Sequence, residues 1–167
     1  VNPAGAGTAD GDILIATLFT GKNAAHAYQP APAGFTLVGQ TSVSEGVSFY
    51  GKLQTWWKRA ASEAVNYTFF HDDSYSTELT MTAYSGCTPS GSPIDAFTTN
   101  SGTSLTSKAL SLTTTQANDK LVLTNHNWDA SGGLSPPTGM AEIFDHLVYL
   151  SDQTIAAAGP TGDRDQT

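Results

Sequence analysis

Tyr50, Lys52, Gln54, Trp56 and Lys58 share one parity of the run from Val47 to Lys58, so a β-strand there sets them in a row on one face. That row has the chemistry of a sugar-binding surface. An indole ring is a flat apolar platform with a polar edge, and Gln and Lys side chains hydrogen-bond hydroxyls. The other parity holds Val47, Phe49, Gly51, Leu53, Thr55 and Trp57 and is the more apolar set. The expectation is that Trp57 enters the core beside Phe49 and Leu53 while Trp56 faces outward. An outward Trp56 fits a second role better, covered by a loop or a neighbouring subunit, because interfaces also favour Trp and Tyr. Tyr50, Gln54 and Trp56 are therefore candidate ligand or interface residues.

Trp128 heads a second group. With His126, Asn127 and Asp129 it stands where a predicted strand runs into the loop "DASGGLSPP", and binding residues concentrate on such loops. Trp128 and Asp129 join the candidates. The structural alternative is that Trp128 caps the core and Asp129 starts a turn. "HDDSY", from His71 to Tyr75, has two adjacent carboxylates. Calcium takes several oxygen ligands from a loop, but no Asp-x-Asp-x-Asp-Gly run is present, and a hairpin turn accounts for the stretch.

No catalytic residue is singled out. "SGCTPSGSP" lacks the Gly-x-Ser-x-Gly elbow of a serine hydrolase. His-Glu-x-x-His, a P-loop and Gly-x-Gly-x-x-Gly do not occur. Glu45, Glu63, Glu78 and Glu142 could supply the carboxylate pair of a glycosidase, but their separations are not readable from sequence. One cysteine and four scattered histidines do not make a structural zinc site; no metal or cofactor is expected. Cys87 follows an apolar strand, reads as a small buried hydrophobe, and has no partner for an intrachain disulfide. Asn66-Tyr67-Thr68 matches a glycosylation sequon, which matters only in a eukaryotic secretory pathway.

Short β-rich runs must position these residues. Turn-formers recur along the chain, among them Gly21-Lys22-Asn23, Pro30-Ala31-Pro32-Ala33-Gly34, Glu45-Gly46, Asp72-Asp73-Ser74, Asn118-Asp119 and Gly159-Pro160. That spacing predicts a sandwich or barrel. "DILIATLF" is apolar on both parities, as a central strand covered on both faces would be. "GFTLVGQTSVS" and "GVSFYGKLQTWWKRA" flank Glu45-Gly46 as a long hairpin. "NYTFF" reads as a short strand. In "ELTMTAYS", Leu79, Met81 and Ala83 are expected to face in and Glu78, Thr80 and Thr82 out. "SLTSKALSLT" and "DKLVLTNHNW" follow. "GMAEIFDHLVYLSDQTIAAAG" fits a helix or strands by spacing; its all-β surroundings favour two strands.

The 167 residues suit a single domain over 1–167, with an extended entry at 1–11 and a loose C-terminal end at 160–167. Apolar residues make up 39% and charged residues 13%, and Thr, Ser and Gly fill the difference. This is the composition of an extracellular or virion β-protein. Net charge is −8 with seven basic residues dispersed, which excludes a nucleic-acid backbone as partner. No apolar run reaches the length of a membrane span and no signal peptide opens the chain, so no membrane partner is expected. A chain starting at Val1 is expected to be processed or part of something longer.

Several segments in order carry a resemblance: "AGTADGDILIATL", "PAPAGFTLVG", "TWWKRAASEAVNYTF", "LTMTAYSGC", "TTTQANDKLVL" and "PPTGM...DQTIAAAGPTGDR". Together they span nearly the whole chain. The chain resembles a family of jelly-roll domains in phage virion proteins, found in tail fibres and in minor structural or decoration proteins. Related domains occur in bacterial surface proteins. None of the shared segments is catalytic. The resemblance implies an all-β, antiparallel, two-sheet jelly-roll-like β-sandwich with a structural or adhesive role. Family members run on after a "GPTG"-like turn into one more strand; here the chain stops at Thr167, so an edge completed by another chain is one expectation.

The function expected is a virion structural or adhesive module on a tail fibre, spike or capsid surface, binding rather than turning over. Its partners would be copies of itself, as a homo-oligomer, and other virion proteins, with cell-surface polysaccharide as a candidate ligand. Two rivals remain: a carbohydrate-binding module of a secreted bacterial protein, and a glycan-cleaving enzyme.

Overall fold

A computed structural model describes residues 8–45, 49–63, 66–71, 76–102, 106–126 and 133–167. The described residues form eleven strands, all pairing antiparallel, and no helix. The architecture is all-β and of β-sandwich character, as the turn spacing predicts. Two compact units divide the chain, Val1–Ile94 and Asp95–Thr167.

The first unit is built on one four-stranded sheet, ordered β2-β3-β1-β4. Its strands are β1 (Ile13–Lys22), β2 (Thr36–Glu45), β3 (Phe49–Arg59) and β4 (Ser76–Tyr84). β1 sits inside the sheet and is buried from Ile13 to Gly21. Its apolar residues on both parities are what a strand covered on both faces requires. β2 and β3 form the predicted hairpin, with Glu45 opposite Phe49.

One face of this sheet carries Leu14, Ala16 and Leu18 of β1, Trp56 of β3, and Leu79 and Met81 of β4. Phe35, Tyr67 and Phe69 pack over them from outside the strands. Phe35 enters through a turn at Pro32–Phe35. The Phe35 N–H donates to the Pro32 carbonyl at 3.0 Å, and Gly34 has φ +81°, the left-handed value such a turn needs at its third position. "NYTFF" adds no strand, yet it alternates: Tyr67 and Phe69 turn to the cluster, and Phe70 stays 63% exposed.

The other face carries Ile13, Ile15, Thr17 and Phe19 of β1. Phe19 and Phe49 lie against Gly21 and Gly51, which are paired across β1 and β3. A Cβ on Gly51 would come within 3.2 Å of Phe49 and 3.3 Å of Phe19. The glycines thus make room for aromatic rings that cover the bare backbone. Thr80 of β4 is buried on this face and Ala83 is exposed, the reverse of the expected assignment, although Leu79 and Met81 face in as expected.

The second unit contains a three-stranded sheet, β7-β9-β8, of β7 (Asp119–His126), β8 (Ala141–Asp145) and β9 (Val148–Ile155). The ambiguous segment is two strands. β8 pairs only with β9 among the described residues, and all five of its residues are exposed, Ile143 at 45% and Phe144 at 40%. Two short pairs complete the unit: β5 (Ser107–Ala109) with β11 (Arg164–Gln166), and β6 (Thr113–Thr114) with β10 (Gly159–Pro160). The C-terminal end, expected to be loose, is therefore tied down. Gln166 is buried and accepts from the Asn125 amide at 3.1 Å, and the Thr167 carbonyl accepts from Ser135 N–H at 2.7 Å.

Candidate functional site

The row Tyr50, Lys52, Gln54, Trp56, Lys58 does share one face, but it is not an exposed row. Trp56 is 1% exposed. It pairs across β1 with Ala16, whose small side chain leaves room for the indole, and Phe69 covers it with ring centroids 5.9 Å apart. The expected outward Trp56 and inward Trp57 are corrected: Trp56 is the core residue, and Trp57 is only partly buried. The covering groups are the chain's own Phe35, Tyr67 and Phe69, so the covered-by-a-loop alternative holds and the sugar-platform reading of this ring does not.

Gln54 is likewise corrected as a ligand residue. It is 2% exposed, and both polar atoms of its amide are engaged. The Gln29 N–H donates to Gln54 Oε1 at 2.7 Å, and Gln54 Nε2 donates to the Gln29 carbonyl at 3.0 Å. A side chain thus pairs with a main chain as another strand would, and holds the 23–35 loop against the sheet. At the far end of the row, Lys58 pairs with Glu63 at 2.7 Å, donates to the Tyr67 hydroxyl and lies 4.7 Å from the Tyr67 ring centroid. Glu63 also accepts from Ala61 N–H, so this carboxylate is committed to structure.

Between the Gln54 clamp and the β2–β3 turn the same face becomes polar and opens into a pocket of about 210 Å³. Antiparallel register sets Ser42 opposite Lys52 and Ser44 opposite Tyr50. Thr20 and Lys22 of β1 stand opposite Lys52 and Tyr50 on the other side. The loop supplies a wall. The Ala24 carbonyl can only accept, so His26 Nδ1 carries the hydrogen of that 3.4 Å contact; in the neutral ring Nε2 then accepts the Thr20 hydroxyl at 3.1 Å. Lys52 Nζ stands 3.9 Å from the centroid of the Tyr28 ring, a cation–π contact that fixes the ammonium without neutralising it.

Of the sequence candidates, only Tyr50 lines this pocket. Trp128 and Asp129 lie outside the described residues, as does most of "HDDSY". His26, Tyr28, Ser42 and Ser44 were missed. The signal for the serines was their alternation in "GQTSVS", which places both beside Tyr50 and Lys52 once the hairpin is registered. Nothing local marks His26 and Tyr28, because the Gln29–Gln54 clamp that brings them in spans distant positions.

Other titratable groups have structural roles. The Asp95 carboxyl is held below its ordinary range, first by the Thr115 hydroxyl and then by the Thr115 N–H. The Asp119 carboxyl is raised by burial and by its hydrogen bond with Asp95. The pair fastens the turn into β7. His126 at the end of β7 is pushed down to about 4 by burial, opposed by its hydrogen bond to the Leu147 carbonyl. Cys87 is half-buried, its thiol pushed up by desolvation, and its Sγ lies 3.6 Å from the Tyr84 carbonyl. No group of three or more metal-ligating side chains occurs among the described residues, and no described helix is long and apolar enough to cross a membrane.

Compared with protein-family models, curated proteins and solved structures, the chain matches none.

Proposed function

We propose that the chain is a binding and assembly module of a phage particle surface, a jelly-roll β-sandwich on a tail fibre, spike or capsid, where it joins copies of itself and other virion proteins. The resemblance in sequence suggests the setting. The observation that carries the role is β8. It is a sheet-edge strand whose five residues are all exposed, with two large apolar side chains side by side. An open edge offers unpaired N–H and C=O groups to another strand, and adjacent Ile143 and Phe144 add apolar area to that pairing.

Light scattering on the purified chain tests this, with Ile143→Lys and Phe144→Lys alongside. The expected result is a concentration-dependent oligomer that either substitution dissociates. A wild-type chain that stays monomeric at every concentration refutes the assembly role.

One observation favours a second reading, a carbohydrate-binding module: the polar pocket, whose hydroxyls, ammonium and phenol are groups that hold sugars. This reading expects a monomer with β8 left open.

A further inference from the structure

We infer that the pocket between β2, β3 and the His26 loop takes an acidic sugar unit, a monosaccharide bearing one carboxylate. Lys52 holds the carboxylate, and Ser42, Ser44 and Tyr50 hold ring hydroxyls. The inference deepens the adhesive side of the proposed function and does not depend on assembly through β8.

Charge supplies the first argument. The chain has 15 acidic and seven basic residues, and among the described residues three of the seven pair with carboxylates: Lys58 with Glu63, Lys108 with Asp163, Lys120 with Asp152. Arg59 donates to the Gly11 and Gly91 carbonyls. Lys52 instead lies over the Tyr28 ring. Among the described residues no carboxylate pairs with Lys52, so its charge is positioned yet not neutralised there, and an anionic ligand would complete it through a charge-assisted hydrogen bond. A phosphate monoester carries about −1.5 to −2 near neutral pH, more than one ammonium balances, whereas a single carboxylate matches it.

Geometry supplies the second. Ser42 and Ser44 stand two residues apart on one strand, about 7 Å, with Lys52 and Tyr50 about 5 Å across from them. Four polar groups at those spacings surround a volume below the ~300–1,000 Å³ of sites for drug-sized ligands, which suits one sugar ring. The Tyr50 ring adds an apolar surface. The wall is fixed in advance, His26 by Thr20 and Ala24 and the loop by Gln54, so little ordering is needed on binding. A site with one charge and a few hydroxyls binds weakly, with a Kd on the order of millimolar, and gains strength only through repetition.

The test is a heteronuclear NMR titration of the wild-type chain with N-acetylneuraminic acid, glucuronic acid, glucose and inorganic phosphate. Ile143→Lys serves if the wild type is too large. The expected result is saturable shifts from at least one of the two acids at residues 25–28, 42–44 and 50–52, with glucose and phosphate at least tenfold weaker. Lys52→Gln is expected to weaken the acid at least tenfold and Ser44→Ala by less, both with dispersed spectra. Failure of both acids to shift these residues overturns the inference. So does an equal response to glucose, a stronger response to phosphate, or Lys52→Gln binding as wild type. None of these results bears on the light-scattering outcome.

Discussion

Replacing Trp56 by alanine removes the floor on which Phe35, Tyr67 and Phe69 rest. A tryptophan buries about 150–250 Å², and at ~25 cal/mol per Å² that area represents roughly 4–6 kcal/mol as an upper bound. Large-to-small changes of buried aromatics cost about 3–5 kcal/mol, and the 1% exposure of Trp56 places it in that class. Trp57, one residue on and only partly buried, is expected to cost about 1–2 kcal/mol on the same scale. For a chain of this size about 1 kcal/mol moves Tm by roughly 2–4 °C. Trp56→Ala should then lower Tm by about 6–20 °C and Trp57→Ala by about 2–8 °C. Urea and thermal unfolding followed by far-UV circular dichroism would read both, without relying on the fluorophores removed. A Trp57→Ala variant as unstable as Trp56→Ala, or more so, would refute the assignment of the core face.

Three further outcomes follow from the geometry. His126 has a folded pKa of about 4 against an ordinary 6.5; its neutral form is favoured in the fold, so its contribution to stability is full above pH 6.5 and is lost as pH falls towards 4. The loss is on the order of 3 kcal/mol, visible in urea midpoints across that window and flattened by His126→Asn. Gln54→Leu is expected to cost about 1–3 kcal/mol, because two main-chain groups of buried Gln29 lose their amide partner, and to speed amide hydrogen exchange in residues 25–30. Gly51→Ala is expected to cost about 1–3 kcal/mol by forcing the Phe19 and Phe49 rings aside, readable as a lowered urea midpoint with an unchanged slope.

The longer strands were legible from local pattern. β1 reads as covered on both faces because both of its parities are apolar. β8 and β9 read as strands against a competing helical period because their neighbours are β. The row through Tyr50 and Trp56 was legible as a row, yet its direction was not. Parity tells which residues share a face, and the face that becomes core is decided by what covers it. Here the cover comes from Phe35 in one loop and from Tyr67 and Phe69 in another, while the opposite parity also holds buried residues such as Phe49. With both faces supplied, hydrophobic count loses its power to discriminate. The C-terminal end was misread for a different reason. β11 is three residues long and pairs with β5, more than fifty positions earlier, and so short a strand carries no periodicity to detect. The pocket was half legible, Tyr50 and Lys52 from parity and Ser42 and Ser44 from the hairpin register, while His26 and Tyr28 were hidden in a contact between distant positions.

The pairing of Gln54 with Gln29 has an evolutionary consequence. Both hydrogen bonds go to main-chain atoms of the loop, and every amino acid except proline offers the same two. The anchor therefore recognises that a chain is present there without recognising which chain. Side chains on either side, His26 and Tyr28 among them, are free to drift while the loop stays docked. A family of such chains could then diversify what its pocket binds without renegotiating how the loop is held.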